Sequence, residues 1–129
     1  LGADAVQVGS RFVATPEASP HQNFKDRVVA ASEGDTVLTL KELAPVRLLK
    51  NKFYEDVQAL YAKSPSKEEL IDLLGRARAK KGMFEGDLEE GELEIGQVSG
   101  LIHDIKPAAA IVQEMIREFE QAKKEVADY

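Results

Sequence analysis

The chain has 129 residues, 43% of them hydrophobic and 31% charged, with 17 Lys plus Arg against 23 Asp plus Glu and a net charge of −6. That is the composition of one folded domain, and an acidic surface repels duplex phosphates, which argues against nucleic-acid binding. Cysteine is absent and the two histidines are far apart, so no disulfide, thiol nucleophile or metal site is expected, a cytoplasmic location is suited, and no apolar run approaches the roughly 18–20 residues that cross a membrane.

Ala5-Val-Gln-Val8 reads as a short buried strand, with Gly2 and Asp4 in a turn before it and Gly9-Ser10 ending it. Four extended residues cannot satisfy their own backbone groups, and no second strand of matching quality lies nearby. Ser19-Pro20 then starts a helix with Phe24, Val28 and Ala31 on one face, ended by Gly34. Residues 35–40 alternate like a strand. Pro45 opens an amphipathic helix whose stripe is Val46, Leu49, Phe53, Val57, Leu60 and Tyr61.

Ser66 and Glu69 form a capping box for the next helix, with Leu70, Leu73, Leu74 and Ala77 as its buried face. Arg76, Arg78, Lys80 and Lys81 gather at its end, where cations favour the helix dipole, and Gly82 is the stop. From Gly82 to Gly100 the chain reads as a long ordered loop in which Leu88, Leu93, Ile95 and Val98 need burial. Residues 101–105 read as helical. A final helix from about Pro107 sets Ile111, Met115, Phe119, Ala122 and Val126 on one face.

Three stretches carry candidate chemistry. Gly9-Ser10 can offer backbone amides and a hydroxyl to a phosphate, or be a plain strand-to-turn junction. Gly96 and Gly100 allow close backbone approach to a ligand, and Gln97 offers both a donor and an acceptor. Gln97 could equally tie its loop to the body of the protein. Arg47, Lys50 and Asn51 form a basic helix face that suits an acidic partner or a phosphate, or is simply solvated. His21 reads as a surface residue beside a helix start, and His103, on an apolar segment, as a packing residue.

The run Leu1-Gly-Ala-Asp-Ala-Val-Gln-Val-Gly-Ser-Arg-Phe-Val-Ala-Thr-Pro-Glu-Ala resembles the eighth-strand region of the nitronate monooxygenase and enoyl-acyl carrier protein reductase II family. Pro45-Val-Arg-Leu-Leu-Lys-Asn51 and the block from Gly86-Asp87 through Gly91, Gly96-Gln97 and Gly100-Leu-Ile102 resemble two further motifs of the reductases. Ala5 stands where the family favours Gly, and Ser10 where it favours Thr. The hydroxyl is kept.

The resemblance implies an α/β fold: the last strand of a TIM (β/α)₈ barrel plus a mainly helical C-terminal extension. Residues 1–18 would be that strand and the FMN-phosphate turn, and 19–129 the extension covering the barrel mouth. A barrel needs roughly 250 residues, so the chain is expected to be a piece that does not catalyse alone. Gln7, Gly9 and Ser10 would then bind FMN, and Gly96, Gln97 and Ser99 would border the flavin or substrate pocket. Arg47, Lys50 and Asn51 remain the candidate carrier or dinucleotide contacts, and no catalytic residue is expected in this chain.

The implied activity is reduction of an enoyl thioester with NADH or NADPH through FMN. Its implied partners are the rest of the barrel, an acyl carrier protein thioester and a second copy in a homodimer. The alternatives are a nitronate monooxygenase, with the same flavin and oxygen chemistry, and a noncatalytic acidic helical binding module.

Overall fold

The computed structural model describes residues 3–127. Gly2, expected in the opening turn, lies outside them. In chain order the elements are α1 (Ser10–Val13), α2 (Gln22–Val29), β1 (Thr36–Thr39), β2 (Val46–Leu49), α3 (Lys52–Tyr61), α4 (Lys67–Leu74), α5 (Arg78–Met83), a 3₁₀ turn at Gln97–Leu101 and α6 (Ala108–Ala127).

β2 organises the molecule. It pairs antiparallel with β1, Thr36 opposite Leu49 and Val37 opposite Leu48. Successive side chains of a strand point to opposite faces, and β2 uses both. Leu49 enters a core with Ala14, Phe24, Val28, Ala31, Leu93, Ile95 and Ile102. Leu48 enters a second core with Leu40, Phe53, Val57 and Leu70. The loop strand around Glu94 lies along the other edge of β2, with the amide of Leu49 donating to Leu93 O (2.9 Å) and that of Ile95 to Arg47 O (3.2 Å). A strand covered on both faces and both edges needs apolar neighbours in sequence, which Leu48-Leu49 supply.

The helix expected from Pro45 is therefore two elements. Val46–Leu49 is strand, Asn51 caps the helix through its side-chain oxygen, and α3 begins at Lys52. The 3–4 residue spacing from Leu49 to Phe53 and Val57 is real, but it joins a strand residue to a helix face. Periodicity alone cannot separate the two readings over so short a run.

Other expectations shift by smaller steps. α2 starts at Gln22 with His21 as its cap, rather than at Ser19-Pro20, and its face of Phe24 and Val28, with Ala31 just beyond, is buried as expected. The Ser66–Glu69 capping box is present. α4 stops at Leu74, where Gly75 takes positive φ, so Ala77 does not extend its face. Arg78 lies in the next helix and turns back, donating to Leu73 O (2.7 Å) and Leu74 O (3.0 Å), the free carbonyls at the end of α4.

Gly82 does not stop a helix. It is buried in α5 against the backbone of Gly91, and a Cβ on either would collide with the other. Residues 102–106 are not helical, and His103 is exposed rather than packed.

The largest correction is at the start. Ala5–Val8 forms no strand, and Val6 and Val8 are 84% and 37% exposed. The described residues supply it no neighbouring strand to pair with, and the sheet holds only β1 and β2. The fold of the described residues is α/β, but they contain no parallel barrel stave. Ala14 shares a core with Phe24 and Leu49. α6 is anchored at its start, where the Glu17 carboxylate accepts from the Ala108 amide (3.1 Å) and Ile111 is buried. Of its apolar face, Phe119 and Val126 are exposed.

Candidate functional site

Gly9 stands at the entry to α1 with open space beside its α-carbon. Gln7 and Gly9 are exposed and Ser10 is half-buried. The Ser10 hydroxyl oxygen accepts the amide N–H of Gly96 at 3.1 Å. That bond joins the first candidate stretch to the second across most of the chain. It also explains Gly96, because a Cβ there would sit 2.8 Å from Ser10 Oγ. Likewise a Cβ on Gly100 would meet the Ser32–Glu33 backbone at 3.2 Å. The close approaches expected of Gly96 and Gly100 are thus made to the chain itself.

Two adjoining hollows flank this junction. One, of about 420 Å³, is lined by Ser10, Pro45, Arg47, Glu94 and Gly96, among others. The other, of about 460 Å³, is lined by Glu33, Thr36, Arg47, Gln97, Val98 and Leu101, among others. Arg47 belongs to both. Its strand position holds it there: the backbone is locked between β1 and the 92–95 segment, and one guanidinium nitrogen donates to Thr36 Oγ1 at 3.1 Å.

The remaining candidates separate. Gln97 is exposed at the second hollow, and its side-chain amide has no hydrogen-bond partner among the described residues. Ser99 is fully buried beneath it with an unpartnered hydroxyl. Val98, expected to be buried, is 46% exposed and forms part of the wall of the second hollow. Lys50 is exposed and donates to Gly34 O at 2.8 Å. Asn51 donates to Leu88 O and Gly91 O, both at 2.8 Å, and accepts from the Tyr54 amide at 3.0 Å. Its side chain is committed to the fold, and the three residues do not form a helix face. Glu33 and Thr36 carry no motif, and no local sequence signal marks them as site residues; Leu101, within the Gly100-Leu-Ile102 block, reaches the same hollow from the 3₁₀ turn.

Charge around the junction is organised by ion pairs. Arg11 pairs with Asp104, tying α1 to the segment after the 3₁₀ turn. Lys106 beside Asp104 holds that carboxyl below the usual carboxylate range, with Arg11 adding to the effect. Glu92, on the strand-like segment beside β2, behaves oppositely. Burial, with Glu94 adding repulsion and Arg78 opposing it, pushes its carboxyl up to about 7. Among the described residues no group of three His, Asp or Glu side chains is placed to hold a metal ion. No helix of the described residues is long and apolar enough to cross a membrane.

The described residues thus form an α/β fold in which a Gly-Ser turn is bonded to a Gly-Gln turn beside hollows that Arg47 lines. The family model for nitronate monooxygenase matches residues 1–118, and the chain belongs to that family, as its motifs suggested. Among solved structures it is similar to FabK from Thermotoga maritima, with 36% sequence identity and a TM-score of 0.86, covering 99% of this chain and 40% of that one. A point mutant of the same FabK matches at 35% identity and a TM-score of 0.81, covering 99% of this chain and 38% of that one. The chain therefore spans about two fifths of the length of the structures it matches.

Proposed function

We propose that this chain is part of an FMN-dependent enoyl-acyl carrier protein reductase that uses NADH or NADPH and acts in the cytoplasm on carrier-bound enoyl thioesters. The rest of a TIM barrel would come from the remainder of a FabK-length polypeptide, with a homodimer as the assembly. The observation that carries the reading is the Ser10–Gly96 bond. It brings the two stretches with flavin-site character into one wall, in a chain whose likeness to FabK extends over 99% of its residues.

The residues present fit the cofactor. Ser10 Oγ accepts from Gly96, so its own O–H remains free to donate to an anion. Gly9 leaves the approach open. Gly9 and Ser10 would hold the FMN phosphate, with Gln7 beside them. The unpartnered amide of Gln97 would meet the ring edge or the thioester carbonyl, and Val98 and Leu101 would exclude water. When bound, FMN supplies hydride transfer to the carbon–carbon double bond. No catalytic acid is assigned to this chain.

The name of the matched family supports a second reading, a nitronate monooxygenase. The Arg47–Asn51 and Gly86–Ile102 motifs favour the reductase. The test is NADH consumption with crotonyl-coenzyme A against oxygen uptake with an alkyl nitronate, using the intact protein. Enoyl reduction is expected; nitronate-dependent oxygen uptake without it would reverse the order. An intact protein with no visible flavin absorbance would remove both.

A further inference from the structure

Arg47 is the one side chain shared by the two hollows. Its only side-chain hydrogen bond among the described residues is to a neutral hydroxyl, Thr36 Oγ1. No carboxylate of the described residues forms an ion pair with it. Glu33 lines one hollow and Glu94 the other, so the acids facing this arginine are present but unpaired with it. Of the other arginines, Arg11, Arg27, Arg78 and Arg117 pair with acids, and Arg76, which has no ion pair among the described residues, is exposed to solvent rather than half-buried at a hollow. A half-buried guanidinium with spare donors, held rigidly on a strand, is built to receive an anion from outside, and its planar fork suits phosphate. Val98 and Leu101, exposed by 46% and 78%, line the same hollow.

We infer that Arg47 forms a phosphoester subsite in the second hollow, taking the phosphate of a ligand whose uncharged part lies on Val98 and Leu101. Two ligands of the proposed reaction carry that chemistry: the nicotinamide dinucleotide, through its pyrophosphate, and the thioester, through the phosphate of its pantetheine arm. The inference rests on the reductase reading for these sources but not for the subsite itself.

Direct binding tests it first. Coenzyme A, NAD⁺ and NADP⁺ are titrated calorimetrically into the intact flavin-loaded protein and into its Arg47→Gln variant. At least one is expected to bind, with affinity about tenfold weaker in the variant, the loss of a charge-assisted phosphate contact. No binding to either protein, or equal binding to both, overturns the subsite whether or not the protein turns over. Steady-state kinetics then separates the sources. A raised KM for NAD(P)H alone assigns the site to the dinucleotide, and a raised KM for crotonyl-coenzyme A alone to the thioester, with kcat nearly unchanged. A fall in kcat with both KM values unchanged overturns the inference while leaving the reductase reading intact. Should Arg47→Gln fail to fold, Arg47→Lys keeps the charge and the stem but loses the fork. An affinity unchanged in that variant counts against the proposal.

Discussion

Ser10 Oγ and the Gly96 amide are 86 residues apart in sequence and 3.1 Å apart in space. The pair is mutually exclusive with a side chain at position 96, because the missing Cβ would fall 2.8 Å from the hydroxyl oxygen but 3.9 Å from Ser10 Cβ. Ser10→Ala should cost about 1 kcal/mol by leaving a half-buried amide without its acceptor. Gly96→Ala should cost about 1–3 kcal/mol by overpacking. In the double variant the colliding oxygen is gone, so the costs should sum to less than their separate values. Denaturant melts of the four proteins measure this, and strict additivity would show that the two residues do not touch.

Asn51 has a structural task that its motif does not announce. Asn51→Ala removes a helix cap and two bonds to loop carbonyls, and should destabilise the intact protein by about 2 kcal/mol or more. Asn51→Asp keeps the capping oxygen but sets a carboxylate against Leu88 O and Gly91 O. It should therefore fail to rescue, which thermal melts of both variants would show. An Asp variant as stable as the native protein would mean that only the cap matters.

Gly82 and Gly91 cross with their backbones in contact, and neither can accept a methyl group without moving main chain. Gly91→Ala is expected to lower stability by about 3 kcal/mol, at the upper end for overpacking, since no flexible side chain can yield. Because Asn51 bonds to Gly91 O, hydrogen exchange should report faster opening at the start of α3 as well as in the 87–95 loop. Exchange confined to residue 91 and its neighbours would contradict this coupling.

Glu92 gives stability a pH dependence. Its carboxyl is pushed up from 4.5 to about 7 in the fold. Between those values the folded chain holds a proton that the unfolded chain has released. The contribution is complete below 4.5 and lost as pH rises through about 7. Glu92→Gln should therefore match the native protein at pH 5 and exceed it at pH 8 by about 1 kcal/mol, allowing for solvent screening of a carboxyl that is not fully enclosed. Melting temperatures at the two pH values decide it, and parallel profiles would refute the shift.

Local chemistry was legible in the sequence wherever a few adjacent residues settle the outcome. The Ser66–Glu69 box, the alternation of β1 and the burial of Phe24, Val28 and Leu70 all follow from spacing that each segment carries within itself. The family, too, was readable from three short motifs. What failed were assignments that depend on a partner elsewhere in the chain. Val46–Leu49 is strand because β1 and the 92–95 segment supply its hydrogen bonds. Ala5–Val8 is not, because nothing among the described residues does.

The candidate site divides along the same line. Residue types alone marked Ser10, Gly96, Gln97 and Arg47, since a free hydroxyl, a missing side chain, an amide and a guanidinium are intrinsic to the residues. Only the tertiary structure decided that Ser10 meets Gly96, that Arg47 joins two hollows and that Asn51 belongs to the scaffold. Donor and acceptor capacity is written residue by residue, whereas which capacity is spent within the protein and which is left for a ligand depends on contacts between segments tens of residues apart.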